Sequence, residues 1–166
     1  MHREVMIGVD LGGSKARFRA YAFAGSRFFT PISKELSIEH DGNSLTTATI
    51  IEELINGIRR TWGMVAENCS EQYSYTIGAI GLGSPGPLNP DEGIIESPPN
   101  LPRVSSLPIA KIIQSELGSL VFLLNDADAA VVGEQAFGAG KGFENIVMLT
   151  LGTGIGSGVI AGGKLQ

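Results

Sequence analysis

The sequence predicts an α/β fold built on a mixed sheet, in which an antiparallel meander is followed by parallel strands with flanking helices. Two apolar strand patterns, at residues 5–10 and 16–23, lie on either side of a glycine turn. A long helical pattern and a shorter one each precede a further apolar strand, as in crossover connections between parallel strands. Glycine supplies 23 of the 166 residues, most of them in clusters, and this favours tight turns between the strands.

The first half of the chain contains the meander and the longer helix. Residues 5–10 predict a buried strand, residues 16–23 alternate like a half-exposed strand, and residues 28–36 predict a third antiparallel strand. A turn and helix start at residues 41–44 precede apolar residues at helical spacing. These residues are Leu45, Ala48, Ile51, Leu54, Ile55, Ile58, Trp62 and Val65. Residues 76–83 predict a strand parallel to the first.

The second half contains a proline-rich loop and two further strand–helix units. Residues 88–103 predict the loop, with a short strand at residues 93–96. A helix is expected from Pro108 to Gly118, because proline suits a first turn and glycine an end. The remaining elements are predicted as a parallel strand at 120–124, a helix at 127–137 ended by Gly138, and strands at 146–151 and 158–161.

Glycines at residues 138–142 predict a hinge, which divides the chain into a first lobe at residues 1–137 and a hinge with a first β-hairpin of a second lobe at residues 138–166. The glycine turns before and after this hinge are similar strand–turn–strand units. A duplicated fold would place both turns against one polyphosphate.

Two nucleotide-binding patterns occur in the sequence and are rejected. The glycines at positions 81, 83 and 86 match the dinucleotide fingerprint, which requires a helix to begin inside it. Pro85, Pro87 and Pro90 exclude such a helix. The segment at residues 158–165 approaches a phosphate-binding P-loop, but Leu165 stands where a hydroxyl residue must hold magnesium.

The bulk composition narrows the class of function. The net charge is −5 without a basic tract, which disfavours nucleic acid as a partner. Cys69 is the single cysteine, and we expect it to be a small apolar residue, with no disulfide and no multi-cysteine zinc site in these residues. No secretory leader and no apolar run of about 20 residues is apparent, so we expect a cytoplasmic protein that is not inserted in a membrane.

Phosphoryl transfer is the chemistry that the remaining features predict, since it needs positioned amides, a metal and a group that orients the nucleophile. The first glycine turn offers Gly12, Gly13, Ser14 and Lys15, and the second spans residues 152–156. Asp10 is a candidate Mg²⁺ ligand, or else a turn-capping residue. Asp126, between the turns in sequence, is either a helix N-cap or a general base toward a substrate hydroxyl. Asp128 is expected to face elsewhere.

Five motifs in order resemble the ROK family of sugar kinases and repressors. They are Gly8-Val9-Asp10-Leu11-Gly12-Gly13-Ser14-Lys15, Gly83-Ser84-Pro85-Gly86-Pro87, Ser97-Pro98-Pro99-Asn100-Leu101, Leu124-Asn125-Asp126-Ala127-Asp128-Ala129-Ala130 and Gly152-Thr153-Gly154-Ile155-Gly156-Ser157-Gly158. The resemblance implies the ribonuclease-H-like fold of actin-like ATPases. It also implies phosphorylation of a hexose or N-acetylhexosamine by ATP with Mg²⁺.

The resemblance also implies roles for individual residues. Asp126 matches the family's catalytic base, and Asn100 and Asn125 match ligands of the sugar hydroxyls, with Gly83 and Ser84 beside them. The two ATP-phosphate loops correspond to Gly8, Asp10, Gly12, Gly13, Ser14, Lys15, Gly152, Thr153, Gly154 and Gly156. Without the resemblance, Asn100 would be taken for a surface turn residue.

Length is where the sequence departs from the family pattern. Family kinases are nearly twice as long, and their Glu/His sugar-binding pair and zinc motif are expected after residue 166. We therefore expect this chain to be catalytically incompetent or very weak by itself, and its exposed sheet edge to favour homo-oligomers. The short segment before the first strand disfavours a repressor.

Three functions remain open at this stage: a sugar kinase, a non-catalytic sugar or nucleotide sensor of the same family, and an unrelated actin-like ATPase. Glucose, N-acetylglucosamine, N-acetylmannosamine and fructose are all open as the sugar.

Overall fold

The computed structural model describes residues 2–24, 28–68, 73–152 and 154–166. Cys69 and Thr153, both singled out from the sequence, lie outside the described residues. The strands are β1 (His2–Leu11), β2 (Lys15–Ala24), β3 (Phe28–Pro31), β4 (Leu36–Glu39), β5 (Ser74–Ser84), β6 (Leu88–Asn89), β7 (Ile94–Ile95), β8 (Leu120–Asn125), β9 (Ile146–Leu151), β10 (Ile155–Ala161) and β11 (Lys164–Leu165). The helices are α1 (Thr47–Asn68), α2 (Ile109–Leu117) and α3 (Asp126–Phe137). Among the described residues, no helix combines the length and apolar character needed to cross a membrane.

The main sheet has the predicted mixed topology. Its strand order is β3-β2-β1-β5-β8, and β4 also pairs with β2. β1 is antiparallel to β2 and parallel to β5, and β5 is parallel to β8. In this register Asp10 pairs with Gly83, and Ser84 pairs with Asn125. The carboxyl ends of three parallel strands therefore meet at one edge, where α/β sheets present ligand contacts.

The core lies between this sheet and helices α1 and α2. Ala16, Phe18, Ala20 and Ala22 of β2 are buried at alternate positions, so the intervening residues face the other side of the sheet. Gly57 of α1 sits directly over Phe18, because a Cβ atom at this position would lie 2.7 Å from Cε2 of the ring. The opposite face of the sheet carries α3 near its carboxyl edge.

A second sheet, of order β11-β10-β9, packs on α3. Close packing here depends on glycine. A Cβ atom at Gly158 would lie 2.6 Å from the carbonyl oxygen of Ala127 and 2.6 Å from Cγ1 of Val131. One at Gly156 would lie 3.3 Å from Cβ of Ala127. The hairpin β9–β10 is thus held against the first turns of α3, beside Asp126.

The structure corrects three predicted boundaries. The third strand, predicted at residues 28–36, is two strands that pair with different parts of β2. Between them the buried Ser33 hydroxyl accepts a hydrogen bond from Ala20 N at 2.9 Å, which replaces the missing ladder bond. Helix α1 begins at Thr47, because Thr46 and Thr49 cap its first turn reciprocally. The last predicted strand begins at Ile155, three residues before the predicted start at 158.

Candidate functional site

A cleft of about 1160 Å³ lies at the carboxyl edge of the main sheet and extends to the β9–β10 turn. Its wall includes both glycine turns and the β8–α3 junction. The predicted site residues that line it are Gly8, Asp10, Gly12, Gly13, Ser14, Lys15, Gly83, Asn100, Asn125, Asp126, Gly152, Gly154 and Gly156. Residues far apart in the sequence, from Gly8 to Gly156, therefore share one cavity.

The β8–α3 junction places an amide and a carboxylate at the cleft. Asn125 is the N-cap of α3, since its Oδ1 accepts a hydrogen bond from Ala127 N at 3.0 Å. Oδ1 of Asp126 also accepts from Ala127 N, at 2.8 Å. The capping position considered for Asp126 thus belongs to Asn125. Within the described part of the chain no hydrogen bond engages Oδ2 of Asp126, and the residue is exposed to the cleft.

Asp128 lies two residues after Asp126 in α3 and does not line the cleft, as expected. Burial raises the pKa of its carboxyl, and the nearby charge of Asp126 raises it further. The two carboxylates therefore interact electrostatically, although only Asp126 faces the cavity.

Asn100 is held against the first glycine turn. It lies in a turn closed by a 2.9 Å hydrogen bond from Leu101 N to the Pro98 carbonyl, and the fully buried Leu101 anchors that turn in the core. A Cβ atom at Gly13 would lie 3.1 Å from Cβ of Asn100. The predicted sugar ligand and the predicted phosphate loop are therefore in direct contact.

The two glycine turns differ in what surrounds them. The β1–β2 turn closes with a 2.8 Å hydrogen bond from Gly12 N to Lys15 O. The β9–β10 turn closes with a 2.9 Å hydrogen bond from Gly152 N to Gly154 O. At Gly152 and Gly154 a Cβ atom would meet nothing within 4 Å among the described residues, so the backbone at this turn is open to a ligand.

Charged side chains flank the first turn. Nη1 of Arg17 lies 3.2 Å from Oδ2 of Asp10, and Nε of Arg17 lies 4.0 Å from Oε1 of Glu35. These groups are about half exposed, so each pair contributes little to stability. Arg17, Arg19 and Tyr21 line the cleft on the face of β2 opposite the core. These three residues belong to none of the sequence motifs, although the alternation of buried and exposed positions in β2 indicates that they share one face.

A single carboxylate marks the candidate Mg²⁺ position. Among the described residues, no three or more His, Cys, Asp or Glu side chains are arranged to hold a metal ion. Mg²⁺ is commonly bound by one or two carboxylates together with substrate phosphates and water. Asp10, beside the first glycine turn, has Oδ2 paired with Arg17, which leaves Oδ1 for that mode of binding and does not fit an all-protein metal cage.

Ser84 is the predicted site residue that the structure keeps out of the cleft. Its side chain is fully buried, and its hydroxyl donates to the Pro85 carbonyl at 3.3 Å. The backbone of the neighbouring Gly83 does line the cavity, 3.7 Å from the Cα of Asp126 when measured from the place of a Cβ atom. Strand β5 thus contributes a surface without side chains next to Asp126.

Comparison with known proteins gives consistent matches over nearly the whole chain. A family model described as "ROK family" matches residues 6–166. The glucokinase of Thermotoga maritima is 35% identical over 160 residues, which cover 96% of this chain and 45% of that protein. The crystal structure of the ROK hexokinase from Thermus thermophilus is 34% identical with a TM-score of 0.74, covering 98% of this chain and 48% of that one.

A third relative was crystallised with ligands. The ROK glucokinase from Streptomyces griseus, in complex with glucose and AMPPNP, is 26% identical with a TM-score of 0.72, covering 98% of this chain and 46% of that one. The predicted fold class of ROK kinases, the actin-like ATPase fold, is confirmed by these similarities. The chain spans less than half the length of these relatives.

Proposed function

The chain belongs to the ROK family, and we propose that it forms the sugar-facing part of a kinase that transfers the γ-phosphoryl group of ATP to a hydroxyl of a hexose or N-acetylhexosamine. One observation carries this proposal: Asn125 and Asp126 lie in the same cleft as both glycine turns. A hydroxyl-orienting carboxylate beside two clusters of backbone amides is the arrangement that phosphoryl transfer requires.

Asp126 acts as the general base in this proposal. Its Oδ2 accepts the proton of the sugar hydroxyl while the sugar oxygen forms a bond to the γ-phosphorus. The bond from that phosphorus to the β–γ bridging oxygen breaks, and ADP leaves with the electron pair. Asn125 and Asn100, which both line the cleft, orient the sugar through their amide groups.

The two glycine turns receive the phosphates of ATP. Backbone N–H groups without side chains can approach phosphate oxygens closely and need little reorganisation during the reaction. Ser14 adds a hydroxyl donor and Lys15 adds a positive charge at the first turn. Asp10 would hold Mg²⁺, which neutralises charge on the phosphates when bound.

The relatives support the proposal at the level of the family. Both the T. maritima and the S. griseus proteins are glucokinases, and the second was solved with glucose and a nucleotide analogue. We extend sugar phosphorylation to the native protein that carries this sequence. Because ATP is abundant in the cytoplasm, we place the reaction there.

A coupled assay of ADP release tests the proposal. The native protein is mixed with ATP, Mg²⁺ and, in turn, glucose, N-acetylglucosamine, N-acetylmannosamine and fructose. We expect ADP release that depends on at least one of these sugars. Release that no sugar stimulates would contradict the proposal, and tight sugar binding without turnover would favour a sensor of the same family.

The 166-residue chain alone is assayed in parallel. We expect it to show little or no turnover, because it spans less than half of the relatives that phosphorylate sugars. Turnover by this chain comparable to that of the native protein would contradict this expectation.

A further inference from the structure

We propose that His40, fixed by Glu53, is a positioning residue that orients the first glycine turn for nucleotide binding. This inference rests on the proposed function in one respect, namely that this turn binds the phosphates of ATP. His40 follows β4 and does not line the cleft, so it acts through the backbone of residues 12–14.

The side chain of His40 connects helix α1 to the glycine turn. Its Nε2 lies 2.8 Å from the carbonyl oxygen of Gly12, and its Nδ1 lies 2.7 Å from Oε1 of Glu53. The imidazole is 5% exposed and the Glu53 side chain 14% exposed. A histidine in contact with a carboxylate and a carbonyl, and shielded from water, is held in one orientation by both of its ring nitrogens.

Hydrogen-bond chemistry fixes where the ring protons are. A carbonyl oxygen can only accept, so Nε2 carries a proton and donates it to Gly12. A second proton must lie between Nδ1 and Glu53, because two lone pairs cannot form a hydrogen bond. The Glu53 contact therefore selects the form of the ring that donates to the glycine turn.

Two backbone hydrogen bonds also join the segment after β4 to the first glycine turn. His40 N donates to the Ser14 carbonyl at 2.9 Å, and Gly42 N donates to the Gly13 carbonyl at 2.8 Å. Three successive carbonyls of the turn, those of residues 12, 13 and 14, are thus bound by the segment at residues 40–42.

This arrangement orients the amides. In a trans peptide the C=O and the following N–H point in opposite directions. When the carbonyls of Gly12 and Gly13 are held by residues behind the turn, the N–H groups of Gly13 and Ser14 are directed to the opposite side, which is the cleft. Nε2 of His40 therefore preorganises the Gly13 N–H, and Gly42 N preorganises the Ser14 N–H, so that residues 40–42 together orient two of the donors that the phosphates need.

The segment at residues 40–42 is closely packed against the first glycine turn. A Cβ atom at the buried Gly42 would lie 2.6 Å from the Gly13 carbonyl oxygen and would overlap the carbonyl oxygen of Asn100. The 40–42 segment therefore packs closely against both the first glycine turn and the backbone of Asn100.

The test compares His40→Ala with His2→Ala in the native protein. His2 is a suitable control because it is exposed and bonds only to the hydroxyls of Ser74 and Thr76 in the described structure. Calorimetry measures the Kd of AMPPNP and of the sugar, and ¹⁵N heteronuclear NOE values report the order of Gly13 and Ser14 without ligand.

We expect His40→Ala to raise the Kd of AMPPNP by about tenfold or more, because the Gly12 carbonyl loses its side-chain hydrogen-bond donor, and to change the sugar Kd less than about threefold. The NOE values of Gly13 and Ser14 should fall, and His2→Ala should change none of these quantities.

Unchanged NOE values in His40→Ala would overturn the inference, as would an equal loss of sugar and nucleotide binding. Failure of the wild-type protein to bind AMPPNP would instead refute the proposed function, and the NOE comparison would still decide the role of His40.

Two further variants keep the test decisive if His40→Ala does not fold. His40→Gln retains an N–H that can donate to Gly12, and Glu53→Gln can donate to Nδ1 and so keeps the proton on Nε2. We expect both to bind AMPPNP within about fivefold of the wild type. A loss of tenfold or more in both, with sugar affinity equally reduced, would overturn the inference.

Discussion

Asn125 and Asp126 are adjacent residues whose side chains have different roles. Asn125 caps α3 and stabilises the helix start, while Asp126 keeps one carboxylate oxygen for the cleft. We expect Asp126→Asn in the native protein to lower kcat by about 10²–10⁴-fold, because an amide cannot accept the hydroxyl proton. Sugar binding should change little, since the amide keeps its shape and hydrogen-bonding capacity. Steady-state kinetics and calorimetry measure these effects.

Asp91 provides the matched control for this substitution. It is exposed in the loop between β6 and β7 and does not line the cleft. Asp91→Asn should leave kcat unchanged. If Asp126→Asn retained wild-type turnover, its role as base would be wrong.

Asp128 makes a separate prediction about stability. Burial, and then the charge of Asp126, raise the pKa of this carboxyl in the folded protein. Ionisation of Asp128 is therefore less favourable in the folded than in the unfolded chain. The free energy of unfolding is thus higher at low pH, where the carboxyl is protonated, and it falls as pH rises through the raised pKa. We expect Asp128→Asn to increase the free energy of unfolding at neutral pH. The difference in free energy of unfolding between Asp128→Asn and the wild type should shrink as pH falls toward the ordinary aspartate pKa of about 3.9.

Urea unfolding at several pH values measures this difference between Asp128→Asn and the wild type. A difference that stayed constant with pH would show that the carboxyl charge of Asp128 is not its cause.

Individual residues also show how far local sequence can predict a site. The glycine turns and Asn125-Asp126 are recognisable because several residue types occur together in short motifs. Ser84 belongs to such a motif, but its side chain points into the core and only its neighbour Gly83 meets the cleft. His40 belongs to no motif, and its contact with Gly12, 28 positions away, appears only in the folded chain.

At the scale of elements, helix α1 offers two glycines with opposite roles. Gly57 is buried against the ring of Phe18, whereas Gly63 is exposed and has no neighbour within 4 Å of a Cβ atom among the described residues. We expect Gly57→Ala to destabilise the protein by about 1–3 kcal/mol, because the fully buried ring must move. Gly63→Ala should stabilise it by about 0.5–1 kcal/mol through helix propensity.

Thermal and urea unfolding of the two variants provide the comparison. Equal effects at both positions would contradict the packing of α1 on β2 described above, because helix propensity alone would then account for both.

The elements that sequence patterns predicted correctly are those with strong periodicity or clear end signals. Helix α2 ends at Gly118, which adopts the left-handed conformation and donates to Gln114 O at 2.9 Å, as its glycine predicted. The split between β3 and β4 could not be predicted, because it depends on the hydrogen bond between Ser33 and Ala20 of another strand. Local residue propensity carries no information about such tertiary hydrogen bonds.

At the scale of the whole molecule, the cleft depends on how the second sheet packs on α3. Gly158 lies so close to Ala127 and Val131 that any side chain there must move the hairpin β9–β10 away from the helix. We expect Gly158→Ala in the native protein to weaken AMPPNP binding by about tenfold while sugar binding changes less, since the proposed sugar ligands Asn100 and Asn125 lie outside the hairpin β9–β10. Gly63→Ala serves as the control, because it lies on a distant exposed surface of α1. Calorimetric titrations giving equal AMPPNP affinity in both variants would contradict this packing argument.

The mixed sheet, with an antiparallel meander followed by parallel strands, could be predicted from periodicity, and the resemblance to a family indicated the fold class. The closeness of the two glycine turns in space could not be derived from either turn alone. It follows from the parallel register of β1, β5 and β8 and from the glycine contacts on α3.

The most direct test of one shared sugar and nucleotide site is a ¹⁵N–¹H correlation spectrum of the labelled protein, titrated first with each of the four candidate sugars in turn and then with AMPPNP. The structure predicts that the sugar shifts the amides of Asn100, Asn125 and Asp126, and that AMPPNP shifts those of Gly12–Lys15, Gly152 and Gly154. Two results would contradict the site proposed for this protein. One is a set of shifts confined to residues outside the cleft, and the other is the absence of any shift at these amides when the ligand is saturating.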